Sequence, residues 1–281
     1  MTNVADEVVK VACLNAWGRM GPWPERRAAI RAELARLEPD VIGFQEIWDG
    51  DGGSTLDEIL GAGWHVHHAR ARELTAGVFV GNAIASRHPI VEADAWPLVA
   101  GEHDAGRNCV HALIATPWGH LPVFVTHLAW RFHDGLLRLR QLQQIAALVG
   151  ERAPVQRGRV ATYLLPPILM GDMNAEPGAD EIRYLGGLTA AEPPVYFADC
   201  FGVRGEGAGY TWHRDNTFAA LECSPDRRID YIFVRGPDRW GRGEPLVARV
   251  AFDRAEAGVF ASDHYGVYAE LRASSKGLLA F

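Results

Sequence analysis

Four apolar runs end on side chains of the kinds that ligate cations or move protons. Asn15 follows Val11-Ala12-Cys13-Leu14, Glu46 follows Val41-Ile42-Gly43-Phe44-Gln45, His127 follows Val123-Phe124-Val125-Thr126, and Asp172 follows Ile168-Leu169-Met170-Gly171. Burying a polar group is costly unless it is paired, so a set of them at strand ends is better explained by one shared site than by packing. Gly171-Asp172-Met173-Asn174 supports this: period-two alternation sends Asp172 and Asn174 to one side and turns Met173 into the core.

The elements that must position these residues are legible from hydrophobic period. Val8 to Asn15 reads as a strand covered on both sides, with Val9, Val11 and Cys13 on one face and Ala12 and Leu14 on the other. A helix opens at Pro24 and runs to Leu37, with Ile30, Leu34 and Leu37 at helical spacing. Asp40 to Phe44 is a short strand, and a second helix starts after Ser54. Trp64 to His127 is β-rich, with strands over Gly77 to Ser86, Ile90 to Leu98, Val110 to Thr116 and Leu121 to Thr126. His133 to Val149 is a helix whose Arg138, Arg140 and Gln144 are left for a basic flank, and Glu151 to Leu165 is an exposed loop. Strands over Pro167 to Gly171, Arg228 to Val234, Val247 to Phe252 and Tyr265 to Leu271 follow, with a short helix around Asp180 to Leu185. This order fits a layered α/β sandwich with largely antiparallel sheets better than alternating βαβ units. Glycine-rich Gly202 to Gly209 does not lie between a strand and a helix, so it reads as a mobile surface loop rather than a phosphate cradle.

On Leu14-Asn15, Gln45-Glu46, Thr126-His127, Gly171-Asp172-Met173-Asn174, Arg228-Ile229-Asp230-Tyr231 and Ser262-Asp263-His264, standing in this order, the chain resembles the endonuclease/exonuclease/phosphatase superfamily, whose type is DNase I. Asn82 to Ile90 is similar to a further segment of the family's bacterial members. The resemblance implies a four-layer αββα sandwich of two mixed, largely antiparallel sheets flanked by helices, with the site where loops of both sheets meet. It also implies a metal-dependent phosphoric ester hydrolase. Glu46 would be the principal metal ligand, with Asn15 and Asp263 completing the shell directly or through water. Oxygen ligands select a hard cation, so Mg²⁺ is expected and Mn²⁺ could substitute. Asp172, held by Asn174, would orient or deprotonate the attacking water. His264 would pair with Asp230, and His127 would contact a phosphate oxygen or protonate the leaving group. The choice between one and two metals, and of which histidine is acid and which base, stays open.

Tryptophans follow the site residues closely: Trp17, Trp48, Trp130 and, before the Asp230 strand, Trp212. Trp17 and Trp212 are candidates to wall the substrate pocket. Arg19, Arg107, Arg131, Arg138 and Arg140 lie near or between motif segments, and Arg107 and Arg131 are the candidate phosphate contacts. His65, His67 and His68 read as a solvated strand edge, while His103, His111 and His120 have no evident partner.

Length and charge bound the rest. The chain has 281 residues, 48% of them hydrophobic, and is read as one domain spanning 1–281. A net charge of −7 and the lack of a basic strip interleaved with aromatics disfavour a nucleic-acid partner. A small-molecule, nucleotide or lipid head-group phosphate ester is favoured as substrate, ahead of DNA cleavage by an endonuclease or exonuclease. A non-catalytic binding module on the same scaffold is the third class. Isolated cysteines at 13, 109, 200 and 223 suggest buried thiols in a reducing compartment. No secretory signal or membrane-spanning run is evident, so a cytoplasmic protein is expected. Oligomeric state is not encoded in any visible pattern.

Overall fold

The structure is a computed structural model that describes residues 7–50, 52–102, 104, 106–154 and 163–274. His103, the first six residues and most of the segment read as a loop before Leu165 lie outside the described residues.

Among the described residues thirteen strands and five α-helices follow one another as β1 (Val8–Asn15), α1 (Trp23–Leu37), β2 (Val41–Gly50), β3 (Gly53–Ser54), α2 (Thr55–Ile59), β4 (His65–Thr75), β5 (Val78–Ser86), β6 (Ile90–Pro97), β7 (Asn108–Thr116), β8 (Gly119–His127), α3 (Gly135–Arg152), β9 (Ile168–Asp172), α4 (Asp180–Leu185), β10 (Ala198–Asp199), α5 (Cys200–Arg204), β11 (Asp230–Val234), β12 (Pro245–Ala251) and β13 (Gly266–Arg272). One sheet has the order β12-β13-β1-β2-β5-β4, with β3 beside β2, and the other β10-β11-β9-β8-β7-β6. Among the named strands of the described residues, β1 with β2 and β8 with β9 pair in parallel and the other strand pairs are antiparallel. Two sheets face to face with helices outside make the four-layer αββα sandwich.

Strand alternation explains the layers. Val9, Val11 and Cys13 point into the central core with Val123, Val125, Ile168, Met170 and Ile232 of the other sheet. Ala12 and Leu14 point outward to Ile30, Leu34 and Leu37 of α1. On the opposite outer face Leu142, Ile145 and Val149 of α3 cover Phe124, Leu169 and Phe233. The apolar faces expected of β1 and α1 are therefore the buried ones, while on α3 Leu142, Ile145 and Val149 are buried and Leu136 is exposed.

Several boundaries depart from the sequence reading. α3 runs three residues past Val149, taking in residues assigned to the following loop. Its Arg138 is buried rather than on a basic flank. β2 continues beyond Phe44 to Gly50 through a register shift between Phe44 and Ile47. The supposed loop from Gly202 begins inside α5, whose Phe201 ring stacks so tightly under Gly205 and Gly209 that a Cβ at Gly209 would lie 2.3 Å from it. His65, His67 and His68 fall on an edge strand, β4, but of the three only His65 is solvated: His67 meets the Asp94 carbonyl at 3.2 Å, and His68 is largely buried 4.0 Å from Asp49. Cys13, Cys109 and Cys200 are buried free thiols, whereas Cys223 is exposed, outside the sheets and helices. No helix among the described residues is long and apolar enough to cross a membrane.

Candidate active site

The two parallel pairs bring four of the motif residues to one end of the sandwich. β1 and β2 run side by side to Asn15 and Gln45, and β8 and β9 to His127 and Asp172, which are register partners. Parallel strands end together, so each pair presents two polar termini at the same edge. The remaining residues enter on antiparallel neighbours: Asp230 opens β11 opposite Asp172, and Asp263 and His264 lie just before β13.

Local backbone chemistry aims the carboxylates. Glu46 occupies the β2 bulge with φ 54°, and a bulge re-aims a side chain that regular alternation would send elsewhere. Gly171, at φ 152°, lies so near β8 that an added Cβ would stand 1.9 Å from the Thr126 carbonyl oxygen. Trp17 and Asn174 also adopt positive φ, 53° and 50°. Such conformations persist where surrounding structure imposes them.

Asn15 joins the two sheets. Its Nδ2 donates to Glu46 Oε1 at 3.2 Å and to Asp172 Oδ2 at 3.1 Å, while its Oδ1 accepts the Trp17 N–H at 3.0 Å. The Asn174 N–H donates to Asp172 Oδ1 at 2.9 Å, and the Asn174 side chain donates to the Leu128 carbonyl. His127 sits with Nε2 3.4 Å from Asp172 Oδ2 and Nδ1 3.9 Å from Glu46 Oε1. His264 Nδ1 meets Asp230 Oδ2 at 2.9 Å, and its Nε2 lies 3.7 Å from Asp172 Oδ2. Ser262 Oγ donates to Asp263 Oδ1 at 3.0 Å. Seven of the eight motif residues thus share one set of contacts, and Asp263 joins it through the charges of Glu46 and His264.

Burial and crowded charge separate the two imidazoles. Burial, with Arg107 and His264 nearby, holds His127 well below the usual histidine range, so it is neutral. Burial also opposes charge on His264, but Asp230 and Asp172 outweigh it and hold that imidazole well above the usual range. Burial, reinforced by Asp230, pushes the Asp172 carboxyl up to about 7. Burial, with Glu46 adding its repulsion, pushes Asp263 up to about 6.

These groups fit a divalent cation. Glu46, Asp172, Asp230 and Asp263 crowd acidic oxygens against a single cationic imidazole, and Asp230 Oδ1 is buried without a hydrogen-bond partner. Oxygen donors of this kind suit a hard ion. Asp172, Asp230 and His264 also place ligand atoms within 4.8 Å of one another, although His264 Nδ1 is already engaged by Asp230.

The candidate substrate contacts are placed less uniformly. Trp17 is half-buried against Phe218, ring centroids 5.1 Å apart, with the Arg26 guanidinium 4.8 Å over it. Trp212 is largely buried and meets His264 edge-on at 5.0 Å. Arg107 is held bidentately by Asp104, at 2.9 and 3.2 Å, near His127. Arg131 lies over Trp130 at 5.2 Å. His111, without a partner in the sequence reading, is buried between Phe124 and Trp96, 3.9 Å from Asp94.

Sequence reading missed the residues that brace the site. Thr211 Oγ1 accepts the N–H groups of Ile229 and Asp230, and Asn216 Nδ2 donates to the carbonyls of Ser262 and Asp263. Both lie in irregular segments, where no period marks a buried polar residue; the Tyr210-Thr211-Trp212 run was the available signal for Thr211. A groove of about 790 Å³, lined in part by Tyr210, His213, Val250 and Tyr265, contains none of the eight motif residues.

Buried carboxylates set against two imidazoles, at the meeting ends of two sheets, are groups of the kind a metal-assisted hydrolytic site uses. Residues 12–264 match the Endonuclease/Exonuclease/phosphatase family, and the chain belongs to it. It is accordingly a metal-dependent phosphoric ester hydrolase. The fold is similar to that of D. rerio TDP2 complexed with a single-strand DNA product, with a TM-score of 0.74 at 18% identity over 95% of this chain and 99% of that one. It is also similar to an endonuclease/exonuclease/phosphatase from Bacteroides vulgatus, with a TM-score of 0.71 at 17% identity over 96% and 100% of the two chains. The human Nocturnin catalytic domain with a bound sulfate anion gives a TM-score of 0.65 at 16% identity over 97% of each. No relative among curated proteins matches the sequence.

Proposed function

We propose that the protein is a Mg²⁺-dependent phosphodiesterase acting on a small-molecule, nucleotide or lipid head-group phosphate ester, with Mn²⁺ able to replace Mg²⁺. The observation that carries this reading is the Asn15 amide, which holds a carboxylate of each sheet, Glu46 and Asp172, in one polar cluster with both imidazoles. Glu46 and Asp263 would hold the cation, and Asn15 would fix Glu46 while keeping a second Oδ1 lone pair for it. When bound, the cation neutralises phosphate charge and stabilises the departing oxygen.

The protein's own groups divide the remaining work. Asp172, with a carboxyl at about 7 and Oδ1 fixed by the Asn174 N–H, takes a proton from the attacking water. The water oxygen forms the new bond to phosphorus as the ester P–O bond breaks. The leaving oxygen keeps that electron pair and is protonated from solvent. In-line displacement puts the leaving oxygen opposite the base. His264 Nε2, only 3.7 Å from Asp172, therefore stands on the attack side and donates to a phosphoryl oxygen. Asp230 fixes its orientation and favours its charge. Neutral His127 supports the same phosphoryl group from across Asp172.

The net charge of −7 and the absence of a basic strip favour a small ester over DNA. The test is a phosphoester panel with Mg²⁺ and Mn²⁺ titrated, including phosphocholine and nucleotide diesters, aryl phosphates and plasmid DNA. Turnover of a small diester, lost in Asp172→Asn and His264→Ala, is expected. Cutting of plasmid with no small ester hydrolysed would replace the reading by a nuclease, and hydrolysis unaffected by either substitution would remove the assigned site.

A further inference from the structure

Among the described residues, the arginines buried or largely buried around the site are engaged in protein contacts with one departure, while Arg72, whose charge also reaches His127, is exposed to solvent. Arg26 donates to the carbonyls of Ala16, Gly18 and Met20, Arg107 pairs with Asp104, Arg138 with Glu181 and Arg228 with Asp199. Arg227 is only 8% exposed, yet among the described residues its side chain makes no hydrogen bond and no ion pair, and its Nε is buried without a partner. What holds it is aromatic: its guanidinium carbon lies 4.4 Å from the Phe132 ring centroid and 5.9 Å from that of Trp212.

One of the rings touches a motif residue, and the other is exposed on the segment between β8 and α3. Phe132 stands five residues after His127, and Trp212 touches His264 edge-on. Asp172, Glu176 and Asp230 act electrostatically on Arg227 without pairing with it. A buried cation without an anionic partner is costly, and aromatic faces return only part of that cost. Lying over two rings nevertheless leaves the N–H donors of the planar fork uncommitted, and this fork matches phosphate oxygens.

We propose that Arg227, lying over the Phe132 and Trp212 rings, is the residue that anchors the anionic oxygens of the substrate's phosphoryl group. This rests on the hydrolase reading of the same site. It assigns to Arg227 the role that sequence reading gave to Arg107 and Arg131. The neighbouring Arg228 instead pairs with Asp199 at 2.7 Å and lies over Tyr231, leaving only one of the two adjacent arginines for a ligand.

The test measures inorganic phosphate binding calorimetrically in saturating Mg²⁺ for the wild type, Arg227→Met, Arg227→Ala and Arg227→Lys. Arg227→Met retains apolar bulk against the rings, so it remains informative if the alanine variant does not fold. Loss of charge-assisted hydrogen bonds should weaken phosphate binding about tenfold or more in Arg227→Met, with partial recovery in Arg227→Lys. For a turned-over ester, KM should rise by a similar factor while kcat changes less. Phosphate binding within twofold of wild type in the folded methionine variant, or a wild type that binds no phosphate, overturns the proposal. Failure of the wild type to hydrolyse any ester, with Arg227-dependent phosphate binding intact, would instead count against the phosphodiesterase reading.

Discussion

The two sheets build their halves of the site with the same device and secure it differently. In one, β1 ends at Asn15, the chain turns through α1 and returns as parallel β2 to Glu46; in the other, β8 ends at His127 and returns through α3 as parallel β9 to Asp172. Each crossover helix sends one buried arginine back to the loop that follows the first strand. Arg26 of α1 donates to the carbonyls of Ala16, Gly18 and Met20, and Arg138 of α3 to those of Ala129, Arg131 and Phe132. Arg138 also forms a buried ion pair with Glu181 at 2.7 Å, whereas no carboxylate contacts Arg26 among the described residues. Burial lowers Arg26 to about 10, and the opposing pull comes from Asp263 and Glu46 of the site itself. One half is thus closed electrostatically within the scaffold, and the other leaves its charge balance to the proposed cation site.

That difference can be broken first at Arg138. Arg138→Met strands buried Glu181 and should destabilise the protein by about 3–5 kcal/mol in urea unfolding. Adding Glu181→Leu should recover much of the loss. If the double variant is no more stable than the single one, the ion pair is not the distinguishing feature.

Arg26→Met should have the smaller effect, on the order of 2 kcal/mol, because it removes donors to carbonyls that the loosened turn can return to water. No second side-chain substitution should repair it as Glu181→Leu repairs Arg138→Met, since its partners are backbone. Equal losses in Arg26→Met and Arg138→Met would erase the contrast.

A still smaller effect sharpens it through pH. Asp172 and Asp263 titrate near 7 and 6 when folded, above their unfolded value of about 3.9. Between these limits the native state binds more protons than the unfolded one, so these two groups make stability fall as pH rises from about 4 to 7. His264, raised by Asp230 and Asp172, contributes stability that is complete below about 6.5 and is lost only as pH rises through its folded value. A bound cation relieves the carboxylate repulsion, so Mg²⁺ should raise the Tm more at pH 8 than at pH 5. A larger shift at pH 5 would contradict the assignment.

Most of this architecture is legible in sequence because strands advertise their faces: Val9, Val11 and Cys13 against Ala12 and Leu14 already describe a strand between two cores. The polar residues at strand ends pointed to the candidate site for the same reason. What resisted was geometry that composition does not encode. Nothing in Phe44-Gln45-Glu46-Ile47 announces a bulge, so β2 was cut short where its ladder shifts register. Arg138 looks like a solvated flank until Glu181, distant in sequence, packs on it, and Arg227 looks like the neighbour of a motif until Phe132 and Trp212 come beneath it. The α5 segment was hidden by glycines whose function is to make room for Phe201.

The most direct test of the central claim is the position of a Mn²⁺ ion located by anomalous scattering in crystals of the protein. A peak at about 2.0–2.3 Å from a Glu46 carboxylate oxygen, with Asp263 in its shell, is the expected result. A peak held by Asp172, Asp230 and His264 with Glu46 remote from it would contradict the assignment of cation and base on which the catalytic reading rests.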